Sequence, residues 1–285
     1  MLNPRWLIPG ALLTVYLVWG STYLAIRWMV ETIPPLLGNG VRMVTAGAIL
    51  YLWLKRRGAA PPSLRQWANS TLVGSLLFVG GLGQVSIAES IGIGSGLAAT
   101  AIAMTPVWAS LSAGIWRDWP GRKEWMGLAI GVVGTIVLSR EGDFVAEPAG
   151  LVLVVIAPIL WSLGSVWSNH IDMPTGNMRT AAVMLSGGAG LLIAGVIRGE
   201  TLVTPSTASA LSLLYLTTFG SLLAFSAYAY LLRVVRPALA TSYAYVNPIV
   251  AIALGVWLGR ETITGAAWVA LPLIVTAVAL IASRR

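Results

Sequence analysis

Two tryptophans and two prolines recur at one spacing in this chain of 285 residues. Trp19 and Trp161 lie 142 positions apart, and Pro106 and Pro248 are separated by the same number of positions. A tryptophan offers a wide apolar ring face and one N–H donor, and a proline inside a helix frees the carbonyl four residues earlier. These pairs predict a duplicated chain in which both rings flank a central cavity between two broken helices.

The other candidates for ligand contact are polar, aromatic and thioether side chains in the same apolar segments. Thr100, Met104 and Trp108 recur at every fourth position and therefore share one helix face. Such a mixed lining suits a small amphipathic solute, although a stripe of this kind also serves as ordinary core. The predicted substrate-binding residues are Trp19, Ser21, Tyr23, Arg42, Gln84, Thr100, Met104, Thr105, Trp108, Trp161, Tyr228, Ser242, Tyr245 and Asn247, and the predicted hinges are Pro106 and Pro248.

Arg42 and Glu89 are charged residues in or beside apolar segments, where a charge marks a functional site by default. Arg42 is a candidate for binding a substrate carboxylate, or for pairing with Glu89 or with helix-end carbonyls as a structural link. Glu89 is a candidate for proton coupling, or it is an acid at the membrane interface. The sequence leaves these alternatives open.

The composition is that of an integral membrane protein. Apolar residues make up 57% of the chain, charged residues 10%, and the mean hydropathy is +0.81, whereas soluble domains carry about 25% charged residues. With no cysteine and His170 as the one histidine, the chain offers no disulfide and no multi-histidine metal site, and we predict no cofactor. The net charge of +8 suits cytoplasmic loops facing anionic lipid, so we predict contact with membrane lipid and no nucleic-acid binding.

Apolar segments of about 20 residues, the length that crosses a bilayer, predict an all-α fold with ten transmembrane helices. If the N-terminus is cytoplasmic, 13 of the 18 lysine and arginine residues fall on the cytoplasmic side. Cytoplasmic loops retain positive charge, so this bias predicts that both termini are cytoplasmic. The predicted spans are 6–27, 35–54, 67–89, 93–115, 123–139, 149–169, 178–197, 208–232, 238–258 and 263–282.

The 142-residue repeat divides these spans into a first five-helix repeat at 1–142 and a second at 143–285. Because five is odd, the second repeat crosses the membrane in the opposite direction. The inversion brings the paired tryptophans and prolines to the middle of the membrane, where secondary transporters place their substrate sites. Gly127, Gly131 and Gly134 form a close-packing face that could join two copies of the chain, but we favour helix contact within one chain and expect a monomer.

Several stretches of the chain resemble the drug/metabolite transporter superfamily. They are Trp19-Gly-Ser-Thr-Tyr, the stretch from Pro35 to Arg42, Thr105-Pro106, Asn247-Pro248 and Leu258-Gly-Arg-Glu261. Over essentially its whole length the chain is similar to the ten-helix EamA-type permeases, which include bacterial exporters of amino acids and related metabolites. The resemblance implies a multi-pass protein of the bacterial inner membrane, with spans three, four, eight and nine around the cavity and the fifth span of each repeat more structural.

One departure from related proteins bears on the mechanism. Four-helix multidrug relatives carry a membrane glutamate in the first span for proton antiport, whereas this chain has no acid between Trp6 and Arg27, which argues against proton antiport of that kind.

The repeat, the central cavity and the resemblance together predict a transporter, not an enzyme, that exports amino acids or related small metabolites by alternating access. The alternatives are proton-driven efflux of cationic compounds, a purely structural protein, and an intramembrane enzyme. An enzyme is disfavoured because the chain has no Gly-x-Ser-Gly or His-Glu-x-x-His pattern and His170 has no obvious nucleophile.

Overall fold

The computed structural model describes residues 4–91, 101–139, 148–201, 203–259 and 265–283, and within these ranges the chain is helical, without a β-strand. We group its helices into ten, of which α3 and α8 each contain a π-helical middle part and α9 begins with a separate short turn. Their bounds are α1 Pro4–Met29; α2 Pro35–Arg56; α3 Leu64–Gly74, Ser75–Gly83 and Gln84–Ser90; α4 Thr105–Gly114; α5 Arg122–Ser139; α6 Pro148–Trp167; α7 Asn177–Ile197; α8 Thr207–Tyr215, Leu216–Phe225 and Ser226–Val234; α9 Pro237–Ala240 and Tyr243–Gly259; and α10 Gly265–Ala282.

Apolar length marks five of these helices as able to cross a membrane. The qualifying segments are Trp6–Ile26, Leu64–Ala88, Pro148–Trp167, Asn177–Ile197 and Thr207–Val234, and Trp268–Ala282 is a shorter apolar helix. Large apolar side chains face outward on the bundle, including Trp268 at 67% exposed, as suits a surface in contact with lipid. The helix positions agree closely with the predicted spans where both are described, while ten crossings stay a prediction.

The first helical turns explain why these segments begin where they do. Ser63 accepts a hydrogen bond from the backbone N–H of Gln66, whose side chain accepts from the Ser63 backbone in return, a capping box at the start of α3. Ser206 caps α8 in the same way, by accepting from the Ser209 backbone N–H at 3.1 Å. Pro35 opens α2, where its missing N–H costs nothing.

Each helix packs mainly on helices of the other half of the chain. Helix α1 contacts α8 and α9, and α6 contacts α3 and α4, which is the same arrangement with the two halves exchanged. The pairs α2 with α7 and α5 with α10 follow the same rule. The π-helical parts of α3 and α8, Ser75–Gly83 and Leu216–Phe225, also stand at equivalent places. The two halves therefore form one interlocked bundle.

Glycines on α5 let this helix approach α10 closely. A Cβ on Gly127 would lie 2.8 Å from Cγ1 of Ile281, and one on Gly134 would lie 3.0 Å from Cγ1 of Ile274. Gly131 instead faces the ring of Tyr245 on α9. The predicted use of this glycine face for contacts within the chain is confirmed.

Candidate substrate cavity

A cavity of about 450 Å³ lies at the centre of the bundle, within the range of about 300–1,000 Å³ typical of small-molecule sites. Helices α1, α2, α3, α6, α8 and α9 and the start of α4 line it, so the four helices that the resemblance implied are joined by α1, α2 and α6. The reason is that the helices of one half pack on those of the other. The first helix of each repeat lies between the third and fourth helices of the other repeat. The lining residues are Trp19, Thr22, Ile26, Val30, Arg42, Met43, Phe78, Gly81, Leu82, Val85, Ser86, Ile102, Thr105, Ala157, Pro158, Trp161, Gly220, Phe225, Tyr243 and Asn247.

The two ends of the cavity differ. At the end where α1 stops, the lining includes Val30, whose side chain is 41% exposed, so the cavity reaches the surface there. Toward the start of α1 the bundle is closed. Tyr16 and Ser242 share a hydrogen bond of 2.6 Å between α1 and α9, and Val15 is fully buried.

Aromatic rings form the closed side of the cavity. The Trp19 ring lies edge-on to Trp161 with 5.9 Å between centroids, and edge-on to Tyr243 with 4.7 Å. Tyr228 packs behind both tryptophans, with its ring centroid 5.1 Å from that of Trp19. These separations fall in the range where aromatic pairs attract one another. The structure thus brings the two tryptophans of the repeat into contact at the cavity.

The indole N–H groups of both tryptophans are engaged within the protein. Trp19 donates to the carbonyl of Gly220 at 3.1 Å, and Trp161 donates to the hydroxyl of Tyr228 at 3.1 Å. The hydroxyl of Tyr228 lies 2.6 Å from that of Ser165, which completes the network. Donors removed from water need partners, and here the protein itself supplies them. The rings present faces and edges to the cavity.

Arg42 contributes the positive charge of the lining. Its side chain is 6% exposed on α2, and its Nε and Nη1 atoms are buried without a hydrogen-bond partner in the described part of the chain. One turn earlier, Asn39 donates to the carbonyl of Pro35 at 2.8 Å and approaches the hydroxyl of Ser86 at 3.4 Å. The described residues include no partner for Arg42 of the kind predicted for a structural link. The side chain of Glu89, one of the predicted partners, lies outside the described residues.

Of the two predicted hinges, Pro106 stands directly beside a break in its helix and Pro248 does not. Pro106 is in the first turn of α4, directly after a turn at Ala103–Met104. The hydroxyl of Thr105 donates to the carbonyl of Ile102 at 2.6 Å, which satisfies the acceptor that Pro106 leaves open. Pro248 lies inside α9, and the break in that helix is at Thr241–Ser242, farther from the proline than in α4.

Five predicted binding residues line the cavity, namely Trp19, Arg42, Thr105, Trp161 and Asn247. The hydroxyl of Ser21 instead lies 2.6 Å from that of Tyr215, and the hydroxyl of Tyr245 donates to the carbonyl of Leu128 at 3.2 Å. Others stand outside the lining, namely Gln84, Met104, Trp108, Tyr228 and Ser242. Thr100 and the side chains of Tyr23 and Glu89 fall outside the described residues.

The sequence analysis missed Thr22, Met43, Phe78, Phe225 and Tyr243, which also line the cavity. Thr22 stands three positions after Trp19, and either a three-residue or a four-residue step keeps a helical face. Met43 follows Arg42 directly and had no such signal, because adjacent positions on a helix point in different directions. The two phenylalanines had no signal, because an apolar residue in an apolar helix can face a cavity, a neighbour or lipid.

The geometry joins residues of both halves around one cavity, and comparison with known proteins gives the family. The model of the EamA-like transporter family matches residues 7–140 and again residues 148–283. The chain belongs to the EamA-like transporter family. Its double match is the two-repeat architecture that the packing also displays.

This EamA-like transporter has relatives in Escherichia coli and Salmonella typhimurium. It is 44% identical to YedA of Escherichia coli (strain K12), described as an uncharacterized inner membrane transporter, over 97% of this chain and 92% of YedA. It is 23% identical to a probable amino-acid metabolite efflux pump of Salmonella typhimurium, over 89% of this chain and 87% of that protein. The chain is a multi-pass transporter of the bacterial inner membrane.

A solved crystal structure shares the fold of this EamA-like transporter. The two structures superimpose with a TM-score of 0.80 over 98% of this chain and 99% of the other, at 20% sequence identity. At that identity the likeness concerns the fold alone.

Proposed function

We propose that this EamA-like transporter exports amino acids or related small metabolites by alternating access through the central cavity. The observation that carries the proposal is a cavity of about 450 Å³, lined by both repeats, that reaches the surface at one end and is closed at the other. A site shared by two related halves and open to one side at a time is what alternating access requires. The proposal includes ten crossings, two inverted repeats and cytoplasmic termini.

The chemistry of the lining supports an amphipathic solute. Trp19 and Trp161 supply apolar faces, and Arg42, Thr105 and Asn247 supply polar groups from three other helices. The name of the Salmonella relative, a probable amino-acid metabolite efflux pump, points to the same class of solute. In the described lining the one charged side chain is an arginine, which opposes binding of cations and so disfavours efflux of cationic drugs.

The proposal is tested with purified protein in liposomes. Uptake of a labelled panel of neutral, aromatic, basic and acidic amino acids and of a cationic dye is measured with and without a pH gradient. We expect flux of one or more amino acids. Dye flux that requires a proton gradient, in the absence of amino-acid flux, would contradict the proposal.

A pair of tryptophan substitutions ties flux to the cavity. Trp19→Ala removes an aromatic face from the lining and should reduce amino-acid flux about tenfold or more, because burying a large apolar side chain contributes about 1.5–3 kcal/mol and about 1.4 kcal/mol corresponds to a factor of ten. Trp268→Ala on α10 is the matched control, because its side chain is 67% exposed and lies outside the lining. Equal flux through both variants would show that the solute does not pass through this cavity.

A further inference from the structure

Resting on the proposed transport function, we propose that the cavity selects solutes that carry a single carboxylate and a large apolar group. Arg42 binds the carboxylate from α2, and the rings of Trp19, Trp161 and Phe78 hold the apolar group. Acceptance or rejection of a solute is then decided first by its negative charge.

The state of the Arg42 guanidinium carries this inference. Its Nε and Nη1 donors are buried, have no hydrogen-bond partner among the described residues and belong to a side chain of the lining. Leaving a charged donor desolvated and unpaired is costly, so such a group marks the place where a ligand supplies the missing acceptors. The planar fork of donors matches the two oxygens of a carboxylate.

Glu200, the acid that contacts α2 among the described residues, does not bind Arg42. Glu200 accepts hydrogen bonds from the backbone N–H groups of Leu36 and Leu37 at 2.9 to 3.2 Å, so its carboxylate caps the start of α2. That placement satisfies the helix terminus, and Arg42, further along the same helix, has no acidic partner among the described residues. The other candidate partner of Arg42 is Glu89, and the variant Glu89→Gln tests whether the two residues form a pair.

The charge count of the cavity favours a carboxylate over a phosphate. Arg42 is the one charged side chain that the described residues contribute to the lining. One guanidinium balances one negative charge, whereas a phosphate group near neutral pH carries more and would remain partly uncompensated in a buried site. The aromatic rings then set a second requirement, since their indole donors are already used and the faces that remain favour apolar groups.

The test compares L-phenylalanine with L-phenylalaninamide, which lacks the carboxylate, in liposome uptake and in binding to the purified protein. We expect the wild type to prefer the acid by about 10- to 100-fold, the ratio for losing hydrogen bonds to a charged group. Arg42→Met should abolish this preference, and Arg42→Lys should keep part of it. Arg198→Gln, which removes an exposed arginine at the end of α7, is the matched control and should keep it fully.

The outcomes separate this inference from the proposed function. A wild type that carries no amino acid contradicts the proposed function. A wild type that carries acid and amide equally contradicts the carboxylate inference alone, and that comparison stands even if Arg42→Met fails to fold. Glu89→Gln should keep the preference in the binding measurement. If it loses the preference as fully as Arg42→Met does, the acid and the arginine act as a structural pair and the inference is wrong.

Discussion

At the scale of single residues, the closed side of the cavity depends on polar groups that hold aromatic rings in place. The hydroxyl of Tyr228 lies in a fully buried side chain, accepts from the indole of Trp161 and lies 2.6 Å from the hydroxyl of Ser165. The equivalent indole, that of Trp19, donates to the carbonyl of Gly220 instead. The two repeats therefore supply different acceptors for equivalent indole N–H groups.

Tyr228→Phe is predicted to destabilise the protein by about 1–3 kcal/mol, because it leaves the buried indole N–H of Trp161 without an acceptor. Thermal unfolding of the purified protein in detergent measures the effect as a lower Tm. Tyr230→Phe removes a hydroxyl from a half-buried ring of the same helix and should change the Tm less. A Tm equal to that of the wild type in Tyr228→Phe would show that the network does not contribute to stability.

At the scale of elements, the turn that leads into α9 is fastened to the turn before α5. Arg236 binds Asp118 at 3.0 Å and Glu124 at 2.7 Å, and it also donates to the carbonyl of Trp119 at 3.0 Å. Glu124 is 1% exposed and accepts in addition from the backbone N–H of Gly121. This cluster joins the two repeats at the closed end of the bundle, where the proposed alternating access would require a contact that can break.

Arg236→Gln is predicted to loosen the closed end, because it removes the cation from a buried carboxylate. A cysteine placed at Val15, which is fully buried one helical turn before Trp19, reports opening of this end of the bundle. We expect maleimide labelling of Val15→Cys in detergent to be roughly tenfold faster with Arg236→Gln, the ratio for about 1.4 kcal/mol of lost closure. Arg233→Gln removes an exposed arginine nearby and should leave the rate unchanged. Unchanged labelling with Arg236→Gln would mean that the ion pairs do not hold this end closed.

At the scale of the whole molecule, the exchange of helix contacts between halves gives the bundle its internal symmetry. Helix α1 of the first repeat lies against α8 and α9, and α6 of the second lies against α3 and α4. A cavity formed between such halves belongs to both of them. In the proposed alternating access, a rearrangement of one half relative to the other would change access at both ends.

The chain has no cysteine, so single cysteines can report its orientation in cells. The positive charge of the α2–α3 loop predicts that Ala60 is cytoplasmic, and Thr204 between α7 and α8 is then on the opposite side. Both positions are exposed. A membrane-impermeant maleimide should label Thr204→Cys in intact cells and Ala60→Cys only after permeabilisation. The reverse pattern would overturn the proposed orientation.

Most of the fold followed from the order of apolar segments and breakers. The predicted span 178–197 corresponds to α7 at Asn177–Ile197, and 35–54 corresponds to α2 at Pro35–Arg56. Helix length and helix ends are local properties, set by apolar runs, by prolines and by capping serines. The π-helical parts of α3 and α8 had no such signal, since their residues are as apolar as the turns around them.

The sequence by itself determined the class of protein, the helices and the duplication, because composition and spacing are properties of the chain alone. Tertiary structure decided which faces meet. Trp19 and Arg42 line the cavity, whereas Tyr245 turns toward α5 and Ser21 toward Tyr215. In helices that are apolar on every side, sequence periodicity does not distinguish a neighbour from lipid or from a cavity, and only the packing of the two halves makes that choice.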